Sequence, residues 1–183
     1  MRTTVALKEW SAAVHALLAG RQQVLLRKGG IAEKRFEIAA REFLLFPTVA
    51  HSHAERIRPE HRDLLAVAAA DSTEHHVTIR AAARVIAALT VNRPEGLAEI
   101  DDLHIWTTES VRADRLNFRP KHRLMVLVVS AIPLVAPIRL ARTPEHAGCA
   151  SWVQVPITPM LAAPVYNDEA LRCVAARVRD VAG

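Results

Sequence analysis

From residue 75 to residue 91 the chain alternates apolar and polar side chains with a period of two. Val77, Ile79, Ala81, Ala83, Val85, Ala87, Leu89 and Val91 fall on one parity, and His76, Thr78, Arg80, Arg84 and Thr90 fall on the other. Successive side chains of a strand point to opposite faces, so the run predicts one long half-buried strand, or two strands joined by a bend. Its Ala content suits a helix, but a helix would scatter these positions around its axis. Such a strand needs partners. The Val-rich run Leu124–Ile132 (LMVLVVSAI) predicts a central strand covered on both faces. Pro133 and Pro137 are expected to end it, ahead of a further strand near Ile138–Ala141. Shorter strands are expected at Gln22–Arg27, at Glu42–Phe46 where Pro47 stops the run, and at Ser151–Val155.

Helices are expected between these strands. The spacing of Leu7, Trp10, Val14, Leu17 and Leu18 predicts an amphipathic helix over 5–19, ended by Gly20. Ser52 and Glu55 have the spacing of a capping box, and Pro59 suits the first turn of a helix running to about Ala70. Asn92 is placed to cap a short helix with Pro94 and Glu95 in its first turn, and Thr107 or Thr108 opens another that ends before Pro120. Asn167 caps the last helix, with Asp168 and Glu169 where the helix dipole favours acids. Its buried face is Leu171, Val174, Ala175, Val178 and Val181. Strands and helices do not alternate strictly, which argues against a doubly wound parallel sheet. The expected fold class is α+β: one domain over 1–183, with a core over about 5–157 and a C-terminal helix over about 167–182. Its sheet is curved and mainly antiparallel, or closes into a small barrel, and helices flank it.

A chain of 183 residues with 51% hydrophobic and 23% charged residues folds without staples and is not disordered. Its longest apolar runs are about ten residues, too short to span a membrane. Cys149 and Cys173 show no zinc-ligand spacing, and Met1–Leu7 has no secretory core. Reduced thiols and a cytoplasmic location are expected. Lys and Arg number 24 against 19 Asp and Glu, a net +5 that suits a polyanionic partner, RNA or DNA above all.

Several short motifs occur together: LKEW (Leu7–Trp10), LLRKGGI (Leu25–Ile31), FLLFPT (Phe43–Thr48) with His51 after it, HIWT (His104–Thr107) and GCxSWV (Gly148–Val153). This combination resembles domain-of-unknown-function family 1802, whose name implies no activity. Val49 and Ala50 follow FPT, where members of that family often carry an aromatic residue. The order of long strand, short helix over Pro94–Asp101, helix near an aromatic residue and strand with a proline turn is also similar to PUA-like barrels, including the ASCH and EVE groups. That resemblance implies RNA or modified-base binding in a cleft beside the barrel.

The candidate chemistry follows from particular residues. Arg27 and Lys28 with Gly29 and Gly30 form either an anion cradle or a hairpin turn with solvated cations. The GxxxxGK[ST] order of a P-loop is absent, and so is the glutamate-rich helix of a Nudix hydrolase. Trp106 is suited to stacking on a base while Arg112, Arg115, Arg119 and Lys121 reach phosphates; the alternative places Trp106 in the core and the arginines in solvent. His51 and His53, with Glu55, are the weak candidates for a metal, against a solvated loop. Cys149 and His146 are the right types for a nucleophile and base, but they are three residues apart with no third orienting group, which favours a turn and packing.

The leading expectation is a non-catalytic nucleic-acid-binding protein without a cofactor, contacting its ligand through Arg27, Lys28, Trp106, Arg112, Arg115 and Lys121. The first alternative is a metal-dependent nucleic-acid-processing enzyme using Glu42, His51 and nearby acids such as Glu9, Glu33 and Glu37, although no PD…(D/E)xK motif is present. The second is an interaction module in which the apolar C-terminal helix forms a homodimer face.

Overall fold

A computed structural model describes residues 3–29, 36–50 and 52–183. One six-stranded sheet carries the fold: β1 (Thr4–Trp10), β2 (Val24–Lys28), β3 (Glu42–Thr48), β4 (His76–Thr90), β5 (Leu124–Ala141) and β6 (Trp152–Val155), in the order β2-β5-β4-β3-β1-β6. β1 and β3 run parallel, and the other pairings are antiparallel. The helices are α1 (Ser11–Leu18), α2 (His53–Arg56), α3 (Leu64–Ala70), α4 (Thr108–Val111) and α5 (Asp168–Ala182). The domain is α+β, with the mainly antiparallel sheet that the sequence implies.

The sheet curls. Within it β2 and β1 are four steps apart, about 19 Å if it were flat. Yet Arg27 of β2 donates to the Lys8 carbonyl at 3.1 Å and to Glu9 Oε2 at 3.2 Å, both on β1. Leu7, Leu25, Phe43, Leu45, Ala81, Ala83, Leu127 and Val129, drawn from all five strands β1 to β5, pack together in its concavity. A second core lies outside, where Val24, Leu26, Val126 and Val128 meet α1, α3 and α5.

The alternating run forms β4 as expected, with register shifts at Ile79/Ala81 and Val85/Ala87. The second shift re-aims the strand: Ala81, Ala83 and Val85 serve the inner core, whereas Ala87, Leu89 and Val91 pack on the outer one. The prolines do not act as expected. Pro47 lies inside β3, in register with Glu9 of β1, beyond the stretch that pairs with β4. No ladder bond is needed from a proline there. Pro133 and Pro137 lie inside a single β5, at the irregularity opposite Arg80, where Val135 N–H donates to Met160 O and Ala162 N–H to Pro133 O.

The helix expected over 5–19 is instead β1 followed directly by α1. Pairing with both β3 and β6 buries Ala6 on one face and Leu7 on the other, and this outweighs the helical spacing. The segment after Pro59 is a 3₁₀ turn (Pro59–His61) and a separate α3, and Ser52 makes no side-chain cap. Pro94–Leu103 is 3₁₀-helical, and Asn92 and Arg93 N–H groups donate to Ala182 O instead of capping it. Thr107 and Asn167 cap α4 and α5 through their side chains. The apolar face of α5 (Leu171, Ala175, Val178, Ala182) is buried in the chain's own outer core, so it is not the free dimer face expected of it.

Two contacts pin the helical layer. Gly96 packs so tightly on α5 that a Cβ there would lie 1.9 Å from the Val181 carbonyl oxygen. Asp71, buried at the end of α3, bonds His15 Nε2 of α1 at 2.6 Å and Arg80 Nε of β4 at 2.7 Å. Burial works to raise its carboxyl, but His15 and Arg80 outweigh it and hold the group below its ordinary value. Gly96→Ala is expected to destabilise the fold by about 3 kcal/mol, as overpacking against backbone does, read as a lower urea midpoint at unchanged slope. Asp71→Asn is expected to cost about 2–3 kcal/mol at pH 7, discounted for the one-third exposure of Arg80. A depressed folded value contributes stability above the unfolded value of about 3.9, lost as pH falls through the folded one. The gap between Asp71→Asn and the parent should therefore close in urea titrations run below about pH 4.

Candidate nucleic-acid interface

The cleft lies where β2 approaches β1. Its volume is about 530 Å³, and Lys8, Arg27, Lys28, Arg115 and Arg119 supply the positive charge on its walls. Leu26–Gly29 at the end of β2 form one side, and Lys8, Trp10 and Thr48 from β1 and β3 the floor. The π-helical turn Arg112–Asn117 that continues α4, with Phe118 and Arg119, forms the roof, and Gly148–Ser151 ahead of β6 the rim.

Each cation has a different situation. Arg27 is tied to Glu9, which is only 3% exposed and also accepts from the Trp10 N–H at 2.8 Å. Lys28 Nζ donates to the carbonyls of Arg115 and Phe118, both at 2.6 Å, and of Leu116 at 3.3 Å. These are the carbonyls that the end of the π-helical turn leaves open, so Lys28 caps it. Burial, then the nearby Arg115 charge, lower the Lys28 ammonium below its ordinary value. Lys8 Nζ donates to Gly148 O at 3.0 Å, and burial followed by Arg142 lowers it likewise, with Cys149 opposing. Asp114, the one carboxylate lining the cleft among the described residues, is held by Arg56 at 2.6 Å.

Arg115 and Arg119 have no carboxylate within salt-bridge distance among the described residues. Burial lowers the Arg115 guanidinium below its usual value, and Glu9 works against that. Arg119 has φ +50°, a left-handed conformation rare outside glycine, and its guanidinium lies 4.9 Å from the Phe118 ring centre. Phe118 is 55% exposed and lines the cleft. An exposed ring beside guanidinium groups that have no carboxylate partner among the described residues suits an unstacked base with its phosphate.

Of the residues expected from sequence, the fold brings Arg27, Lys28 and Arg115 together here. Arg112 and Lys121 are exposed on the same helical segment and the turn after it, outside the cleft lining. Trp106 is 6% exposed and meets Trp10 edge-on at 5.1 Å; it lines a small adjoining pocket with Arg56, Asp114 and Arg115. Core packing is its position, and the rings that line the cleft are Trp10 in the floor and the exposed Phe118. Phe118 was missed. The signal for Phe118 was an aromatic in NFRP, set among Arg115, Arg119 and Lys121 without apolar neighbours at helical spacing.

The metal-enzyme candidates do not converge. Glu42 is exposed, 3.7 Å from Arg84, at the start of β3. The cleft lies at the other end of that strand, roughly 20 Å away. His51, Gly30 and Glu33 lie outside the described residues. His53 is buried with its ring 4.0 Å from that of Trp10, and its Nε2 accepts the Ala50 N–H at 3.3 Å, which occupies the lone pair a metal would need. Burial, then Arg56, lower it to about 4. His146 Nδ1 accepts the Thr143 N–H at 3.3 Å, and its ring packs on Phe46, so it is not the base for Cys149. Among the described residues no three His, Cys, Asp or Glu side chains cluster as metal ligands. No helix among them is long and apolar enough to cross a membrane.

No curated protein matches the sequence. Among solved structures, the chain is similar to a mutant form of the ZmASCH protein from Zymomonas mobilis, with 12% identity over 94% of each chain and a TM-score of 0.46. The model of the family described as Domain of unknown function (DUF1802) matches residues 6–177, and the chain belongs to that family.

Proposed function

We propose that this protein binds single-stranded RNA without cutting it, seating an unpaired nucleotide in the cationic cleft. The observation that carries the reading is the exposed Phe118 ring beside Arg115 and Arg119, which have no carboxylate partners among the described residues. Stacking of a base on an aromatic ring contributes about 1–3 kcal/mol, and a base held in a duplex is not free to make it. Guanidinium groups supply the phosphate contacts, and each contact releases counterions from the strand. A cleft of about 530 Å³ is of the size that encloses one small ligand, a nucleotide and not a duplex.

The test is fluorescence anisotropy with labelled 12-nucleotide RNA and DNA, single- and double-stranded, at about 50 and about 200 mM salt, with Mg²⁺ or EDTA. Single strands are expected to bind more tightly than duplexes, weaken with salt and stay intact in Mg²⁺. Phe118→Ala should weaken binding about tenfold, and Arg115→Ala should do so while reducing the salt slope by about 0.7. Cys149 lines the cleft and Cys173 lies exposed on α5, so bound RNA should slow alkylation of the first thiol and not the second. Unchanged affinity in both variants, with no protection of Cys149, would overturn the proposal.

A further inference from the structure

We infer that the cleft takes the end of a strand, recognising a terminal phosphomonoester; this rests on the RNA-binding reading above. The argument is a match of charge to volume. Four of the cations lining the cleft, Lys8, Lys28, Arg115 and Arg119, have no carboxylate partner among the described residues. The space they surround holds about one nucleotide. An internal nucleotide brings one negative charge to that space in its phosphodiester. A phosphomonoester brings about −1.5 to −2 at pH 7, with three strong acceptor oxygens in place of two. A compact dianion satisfies a compact group of cations better than a diester does, and guanidinium groups bind such an anion through paired hydrogen bonds.

The surroundings fit an end and one direction of exit. Lys28 and Arg115 also line an adjoining cavity of about 220 Å³, together with His122 and Arg123. The terminal nucleotide fills the cleft, stacked on Phe118, and the next one passes Arg115 into this second cavity. Burial is the main cause of the lowered Lys28 ammonium, and the Arg115 charge beside it adds to it.

The experiment compares four RNAs of one sequence: a 5′-phosphorylated strand, a 3′-phosphorylated strand, a strand with hydroxyl at both ends, and a circle. Binding is read by anisotropy in EDTA at about 100 mM salt. One of the two phosphorylated strands should bind about tenfold more tightly than the hydroxyl-ended strand and the circle, the size of one added charge-assisted contact. Arg119→Ala, at a half-buried position in a turn, and Arg115→Gln should each bring that ratio towards one, with melting temperatures showing that both variants fold. Equal binding of all four RNAs overturns the end inference and leaves the RNA reading in place. No binding of any of them overturns the RNA reading beneath it. An end preference unchanged in both folded variants also overturns the inference, because the end would then be read elsewhere.

Discussion

The ion pair between Glu9 and Arg27 joins two strands that share no ladder bonds, and the cleft depends on it. A backbone pairing between β1 and β2 would close the sheet and leave no opening. A wider separation would leave a flat sheet without a concave core. Arg27 instead spans the gap with one bond to a carbonyl and one to a buried carboxylate, and its guanidinium also sits 5.0 Å from the Phe36 ring. Taking both charges out of water costs several kcal/mol, which the pair offsets only through its further bonds. Glu9 has them, since its second oxygen accepts the Trp10 N–H at the point where β1 turns into α1. The pair therefore sets geometry, holding the floor of the cleft against the end of β2, and is a weak source of stability.

The roof follows from a second interaction. Lys28, next to Arg27, gathers three carbonyls at the end of the π-helical turn. A π-helical turn is rare and is sustained by its context, here a lysine where a regular cap would be. The consequence is positional. With the turn fixed on β2, Arg115 lies over the cleft, the chain passes through the left-handed Arg119, and Phe118 projects into solvent at the cleft edge. Adjacent residues of one short strand thus build both walls: Arg27 reaches β1, and Lys28 reaches the helical segment.

The features legible in the sequence were those decided locally. The alternation of β4, the Thr107 and Asn167 caps and the apolar stripe of α5 each depend on neighbours in the chain, and each formed as read. β1 was illegible because its partners, Leu44–Thr48 and Trp152–Val155, are distant in sequence, and a strand buried on both faces carries no alternation. Pro47, Pro133 and Pro137 were misread for a related reason. Whether a proline ends a strand depends on whether the partner needs its N–H, and that is a property of the sheet. The cleft was half legible. The basic residues of LLRKGGI and of the π-helical turn stood out, but the sequence does not say that Lys28 faces carbonyls, or that Trp106 turns inward while Phe118 turns outward.

The cations of the cleft also differ in what burial does to them. An ammonium group taken from water loses affinity for its proton readily, and Lys8 and Lys28 are both lowered for that reason. Each is held by backbone carbonyls, which favour the charged form. Arg115 has no such partners for its guanidinium among the described contacts, and burial is the main influence on it. A lysine at that position, desolvated and beside Arg27 and Arg56, would be pressed towards its neutral form. A guanidinium starts far enough above neutral pH to keep its charge there. Arginine therefore keeps its charge at a desolvated position where lysine would not, and Arg115→Lys is not a conservative change. The histidines serve the opposite purpose: His53 and His104, lowered to about 4 chiefly by burial, are neutral packing groups that add nothing to the field of the cleft at neutral pH.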